Sequence, residues 1–391
     1  MKKIFFVVAM LSVVYDMAAQ NIAGILRNVE QNNKELQALK KDTEAQKLEI
    51  ATQNNLEDPS IEYSPFYAKG ISGVASSEMV VKQGFDFPTL YAARSKFGKS
   101  RKSVADLQYL TARRDILLSA KQLCLDLILL YQERMMIDVR RKNAEEMLVA
   151  FEKKLEEGDA NILEVNKVKM ERMNMETEVA QNDAEHRTVL ETLLALNGNM
   201  PLDFDASDGY PENNFSNDYE GLYERALASE LMLRSAKAEI QASRQNVNVN
   251  RQNWMPKLEF GYRRNTERSD ASNGFMVGAS FPLFSNRNKL KMAKVRLEES
   301  ELQFDNARFQ MESRLRSLIN ELKQTRKAAG VYDTELLYGT LGLLRKAVDG
   351  GEITVIEYYV EVDEIFKNLQ THLQLVNKSQ KLFADITRNE L

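Results

Sequence analysis

From Leu90 to Glu157 the chain runs without a proline and with a single glycine, Gly98; from Ser285 to Lys327 it has neither. A helix of about 60 residues rises ~1.5 Å per residue and so spans ~90 Å, several times the length of an ordinary globular helix. Such an element cannot fold back on itself to bury a face and must lie in a bundle or a tube. The whole chain of 391 residues holds seven prolines and seventeen glycines, so turns are few throughout.

The sequence also repeats itself at a shift of about 195 residues. Asp58-Pro59-Ser60-Ile61-Glu62-Tyr63 returns as Met255-Pro256-Lys257-Leu258-Glu259-Phe260, and Phe87-Pro88 returns as Phe281-Pro282. The segment Glu157-Gly158-Asp159-Ala160-Asn161-Ile162-Leu163-Glu164 returns as Gly350-Gly351-Glu352-Ile353-Thr354-Val355-Ile356-Glu357. Each copy reads helix, strand, strand, very long helix, glycine turn, helix.

The resulting boundaries are a secretory signal at 1–19; a first helix at 20–58, running from about Ile22 to Glu57; a strand hairpin at 59–88; and a long helix, glycine turn and return helix at 89–198. A polar linker at 199–218 leads to the second copy, with its first helix at 219–255, its hairpin at 256–284 and its long helix, turn and return helix at 285–391. The signal rests on Met1-Lys2-Lys3, an apolar run from Ile4 to Tyr15 and small residues near Ala19. Gly330, Gly339 and Gly342 weaken the expectation of an unbroken long helix in the second copy.

Seven-residue spacing supports packed helices. Leu290, Leu297, Phe304, Met311 and Leu318 form one stripe, with Leu315 and Leu322 at the intervening positions. The last helix has a seam of Val355, Tyr359, Val362, Phe366, Leu369 and Leu373. The return helix of the first copy offers Val165, Val168, Met175, Val179 and Leu193, interrupted by Arg172, Asn182 and His186, which places His186 on the packing stripe.

The hairpins alternate with period two. Ile61 and Tyr63 oppose Glu62 and Ser64; Met79, Val81, Phe85 and Phe87 oppose Glu78, Lys82 and Asp86. Leu258, Phe260 and Tyr262 oppose Lys257, Glu259 and Arg263, and Phe275, Val277, Ala279 and Phe281 complete the apolar set. Strands of about ten residues cross a bilayer when tilted. Four of them are too few for a membrane barrel, which needs about eight, and lipid tolerates no open strand edge. Chains must therefore pool strands: two chains give eight, three give twelve.

Composition excludes several other functions. A net charge of −4 argues against nucleic acid as the partner. Two histidines and one cysteine leave little for a metal or nucleophile site, and Cys124, among Leu123, Leu125 and Leu127, reads as a buried packing residue. No Ser/His/Asp set, phosphate loop or metal-ligand spacing is present, so neither an enzyme nor a bound cofactor is expected. Met170, Met173 and Met175 cluster near the turn and read as packing rather than a thioether metal site.

The order of parts, the doubling, the signal, the Asn32-Asn33-Lys34-Glu35-Leu36 start and the two Gly-x4-Ile/Leu-Glu turns resemble TolC-type outer-membrane efflux proteins over essentially the whole chain. The resemblance implies a mixed α and β membrane protein and a homotrimer. Its twelve-stranded outer-membrane β-barrel would continue into a twelve-helix periplasmic α-barrel. It further implies the outer membrane of a Gram-negative bacterium as location, and a periplasmic adaptor (membrane fusion protein) and an inner-membrane pump of the RND or ABC type as partners. The function implied is passive exit of small molecules or metal ions from the periplasm; protein export of the type I kind is the alternative. A soluble or periplasmic coiled-coil scaffold is the rival of a different class.

By the same resemblance, Glu357, Glu361 and Glu164 stand at the periplasmic entrance, where the second family acid falls on Val360 beside Glu361; Glu357 reads equally as an exposed helix-start acid favoured by the macrodipole. Gly158, Asn161, Ile162, Gly350, Gly351 and Thr354 form the helix turns that contact the adaptor. Tyr63, Phe85, Phe87, Phe260, Tyr262, Phe275 and Phe281 face lipid on the barrel.

Overall fold

A computed structural model describes residues 22–211 and 218–391. The expected signal at 1–19 and part of the linker at 199–218 lie outside the described residues. Among the described residues the chain is mostly helical, with one small sheet.

The first half comprises α1 (Ile22–Asn32), α2 (Lys34–Thr52), β1 (Ser60–Phe66), β2 (Ser76–Phe85), α3 (Pro88–Glu157) and α4 (Ile162–Leu196). The second half comprises α5 (Tyr219–Ser229), α6 (Leu231–Gln252), β3 (Lys257–Glu267), β4 (Ala271–Ser280), α7 (Lys289–Ala329), α8 (Thr334–Asp349) and α9 (Val355–Ile386). No helix among the described residues is long and apolar enough to cross a membrane.

Helix α3 is unbroken for 70 residues, ~105 Å at ~1.5 Å per residue. Pro88 starts it, where a missing amide hydrogen costs nothing. Gly158 stops it by turning left-handed, with φ 84°.

Three expected helices are instead divided. The first helix expected over 20–58 breaks at Asn33, which is the N-cap of α2: its side chain accepts from the Leu36 amide. The helix expected over 219–255 breaks at Glu230, whose carboxylate accepts from the Met232 amide as the N-cap of α6. The long helix expected after residue 285 breaks between Gly330 and Asp333, and Asp333 caps α8 by accepting from Leu336.

The strands form one antiparallel sheet in the order β1-β2-β3-β4. Tyr63 faces Met79, Val81 faces Tyr262, Phe85 faces Leu258, and Tyr262 in turn faces Phe275. Residues directly opposite share a face, so the apolar set lies on one side of all four strands. Phe85 stacks edge-on against Phe260 at 6.0 Å, and Tyr262 against Phe275 at 6.1 Å. The opposite face carries cross-strand ion pairs, Lys82 to Glu62 at 3.1 Å and Arg263 to Glu78 at 2.9 Å. β1 and β4 are open edges. β1 is shorter than expected, at seven residues. Phe87 and Phe281 lie just past the strand ends rather than on them: Phe87 is the N-cap of α3, and Phe281 follows Ser280.

Packing along the helices follows the expected seams with two shifts. Val165, Val168, Met175 and Leu193 are buried on α4, but His186 and Arg172 are exposed and Glu171 takes the inward position. On α7 the buried line runs through Ala293, Ser300, Ala307, Met311, Leu315 and Leu322, leaving Leu290, Leu297 and Phe304 at its border. Cys124 is fully buried, and burial pushes its thiol up to about 12, out of reach of thiolate chemistry.

Candidate functional site

The two helix turns lie at the end of the helices remote from the sheet, and each is built by the same devices. In the first, Gly158 ends α3 and Asn161 caps α4, accepting from the amides of Leu163 and Glu164 while Glu164 accepts from the Asn161 amide at 2.9 Å. In the second, Gly350 ends α8 in a right-handed conformation and Gly351 supplies the left-handed residue, with φ 73°. Thr354 then caps α9, and Glu357 accepts from the Thr354 amide at 2.8 Å and its hydroxyl at 2.9 Å. Each acid thus closes a reciprocal capping box. The Thr354 amide and hydroxyl hold the Glu357 carboxyl below the usual carboxylate range, so a fixed negative charge sits at that turn. Glu361 lies one turn along α9 and is exposed, as is Val360. Ile162 is exposed on the first turn.

Behind the turns lies a core that joins the two halves. Val165 and Val168 of α4 meet Val355, Tyr359, Val362 and Phe366 of α9, closed by Met147, Leu148 and Phe151 of α3 and Val348 of α8. The Tyr358 hydroxyl accepts from the Asn143 side chain at 2.5 Å, and Arg345 donates to the same asparagine. Burial raises the hydroxyl pKa of both Tyr358 and Tyr359, so both stay neutral at physiological pH.

Arg140 is the central polar group of this junction. Its guanidinium reaches Glu178 at 3.0 Å and Glu171 at 3.3 Å on α4 and Asp363 at 3.1 Å on α9, and stacks over Phe366 at 4.9 Å. One cation from α3 therefore ties two other helices together. Burial, then the neighbouring Asp363, pushes the Glu171 carboxyl above its usual range. Sequence reading missed this cluster. The available signal is a charge at the inward position between Val168 and Met175: Arg172 interrupts the stripe in the sequence, but its neighbour Glu171 faces in.

At the other end, Tyr63, Phe260, Phe275 and Phe281 are exposed, Phe275 to 92%. Phe85, Phe87 and Tyr262 are half-buried. Phe284, Leu283 and Trp254 add exposed apolar surface where the strands join the helices. A wide apolar face on an open-edged sheet is thus continued by a helix of 70 residues. Among the described residues no group of acids, histidines and cysteine is arranged to hold a metal ion.

The fold is shared with solved outer-membrane channels. VceC of Vibrio cholerae matches with a TM-score of 0.72 at 14% identity over 94% of this chain and 95% of that one. The open-state MtrE channel of Neisseria gonorrhoeae matches with a TM-score of 0.75 at 12% identity over 94% and 88%. The CmeC channel of Campylobacter jejuni matches with a TM-score of 0.70 at 13% identity over 95% and 85%. Residues 222–336 match the family model of outer membrane efflux proteins. The chain thus matches that family model over residues 222–336 and shares the fold of these solved channels, in agreement with the resemblance read from the sequence. No curated protein matched.

Proposed function

We propose that this protein is the outer-membrane exit duct of a tripartite efflux system in a Gram-negative bacterium. Three copies donate four strands each to a twelve-stranded barrel, and their helices form a twelve-helix tube reaching into the periplasm. The single observation that carries this reading is the four-stranded sheet with two open edges, an aromatic outer face and charge pairs on its inner face. Bare strand edges are not tolerated in lipid, and closure through neighbouring copies satisfies them.

The duct conducts passively, and an inner-membrane pump joined through a periplasmic adaptor supplies the energy. Small molecules or metal ions are its cargo. The inner face of the sheet carries both signs, Glu62 with Lys82 and Glu78 with Arg263, which favours weak selectivity in the barrel. The turns around Gly158, Asn161 and Ile162 and around Gly350, Gly351 and Thr354 engage the adaptor. Glu164, Glu357 and Glu361 lend negative charge to the entrance; Glu361, free of any cap, is the acid best able to meet a passing cation.

Opening separates the turn-end helices by sliding the Val355–Tyr359–Val362 seam past Val165 and Val168. Reconstitution of the detergent-solubilised protein in a planar bilayer tests the duct. Stepwise conductance is expected, raised when Arg140→Ala loosens the turn end; a protein that inserts but never conducts in either form contradicts the proposal.

A further inference from the structure

On the outward face of the four strands, one charged residue stands among apolar and neutral side chains. Arg264 faces Met79 on β2 and Asn273 on β4, one cross-strand pair beyond Tyr262 and Phe275. The strand acids Glu62, Glu78, Glu259 and Glu267 all alternate to the opposite face, where Arg263, the next residue in the chain, pairs with Glu78. Arg264 is exposed and pairs with no carboxylate among the described residues. Its height on the sheet is specific. Below it the outward face is Tyr262, Phe260 and Leu258; beyond it come Thr266 and, across the pair, Ala271. From Leu258 to Arg264 is ~20 Å along a strand at ~3.4 Å per residue, and Phe281 and Phe284 extend the apolar zone further down. A strand tilted by ~40° turns that length into ~15 Å of height, so Arg264 closes the upper rim of the apolar face, just above the Tyr262–Phe275 pair. The strand turns lie at the end away from the helices, so this rim is the external one. In the turn beyond, Arg268 donates to the Ser72 carbonyl at 3.5 Å and brings a second cation, with Lys69 in the adjoining turn.

We propose that Arg264 binds the phosphate of a lipid headgroup in the outer leaflet, anchoring one phosphorylated lipid against each protomer of the barrel. A planar guanidinium matches phosphate in a bidentate fork. A long aliphatic stem suits such a position, since it can stay against apolar surface while the charged head reaches the headgroups. The inference rests on the barrel reading above, since only that reading makes this face a lipid face.

The test measures lipid phosphorus and lipid fatty acid retained by the detergent-solubilised full chain after gel filtration. The probes are diphosphoryl lipid A, its dephosphorylated counterpart and inorganic phosphate as competitor. Wild type is expected to retain the phosphorylated form at least about threefold better than the dephosphorylated one. Arg264→Gln should erase that preference, Arg264→Lys, which keeps the charge but loses the fork, should retain only part of it, and Arg263→Gln, the inward neighbour, should leave it unchanged. Equal retention of both lipids by wild type overturns the proposal without needing any variant to assemble. So does an Arg263→Gln loss equal to that of Arg264→Gln, or complete displacement by millimolar inorganic phosphate, which would assign the site to soluble anions. A wild-type chain that stays in solution without detergent and takes up neither lipid would sink the barrel reading itself.

Discussion

The two halves of the chain present the same order of elements but hold their corners differently. In the first half the corner between α1 and α2 is closed by neutral amides. Asn33 donates to the Leu196 carbonyl at 2.8 Å, and Asn32 donates to Asn197 at 3.1 Å, at the end of the return helix α4. In the second half the equivalent corner, between α5 and α6, is closed by ions. Glu230, 1% exposed, receives Arg114 at 3.0 Å, Arg388 at 3.2 Å and Asn389 at 2.9 Å. Both corners pin the break between two helices to the end of the return helix of the same half, but only the second also reaches across to α3 of the other half, through Arg114. The amide corner is a local clasp; the ionic corner joins the halves.

This contrast predicts unequal sensitivity. Glu230→Ala should cost about 3 kcal/mol, because it removes the buried carboxylate shared by two guanidinium groups and leaves Arg114 only the exposed Asp115 at 2.7 Å and Arg388 only Asp385 at 3.5 Å. Asn33→Ala should cost about 1–2 kcal/mol, the loss of one cap and one buried hydrogen bond. Denaturant unfolding of the detergent-solubilised protein measures both. Comparable costs would mean that Asp115 and Asp385 alone suffice to hold Arg114 and Arg388.

The same comparison sharpens with pH. Burial alone would raise the Glu230 carboxyl, but hydrogen bonding from Asn389 and the charge of Arg388 outweigh it and hold it below the ordinary value of 4.5. The folded value lies below the unfolded one, so its stabilisation is complete above pH 4.5 and is lost as pH falls through the folded value. The stability gap between wild type and Glu230→Gln should therefore be flat near neutrality and shrink under acid conditions, whereas the Asn33→Ala gap should not move.

Glu171 at the turn end has the opposite sign. Its folded value is raised by burial and by Asp363, so it opposes folding above its folded value, and that penalty disappears as pH falls toward 4.5. Glu171→Gln should accordingly be neutral or stabilising by no more than about 1 kcal/mol at pH 7, even though the residue bonds to Arg140. A large destabilisation would show that the Arg140 tie depends on this carboxylate rather than on Glu178 and Asp363.

The turns differ in which glycine bears the left-handed conformation. Gly158 does so in the first turn and Gly351 in the second, while Gly350 stays right-handed. Gly158→Ala and Gly351→Ala should each cost about 1 kcal/mol; Gly350→Ala should cost less, measured by thermal unfolding.

Much of this was legible in the sequence for physical reasons. The length of α3 follows from the absence of breakers and the strand faces from period-two alternation. The breaks at Asn33 and Glu230 were not legible, since a one-residue corner leaves the helical hydrophobic period on either side nearly intact. Gly330 hinted at the third. The partners of Glu230 and Glu171 come from residues more than a hundred and about thirty positions away, respectively. A charge in an apolar stripe announces that it needs a partner but not which one.

The claim on which the rest depends is that the open sheet edges are closed by other copies of the same chain. Native mass spectrometry of the protein released from detergent micelles measures this directly. A complex of three chains, dissociating only on unfolding, is the predicted result. A single chain that remains in solution without detergent, its sheet edges bare to water, would contradict the account.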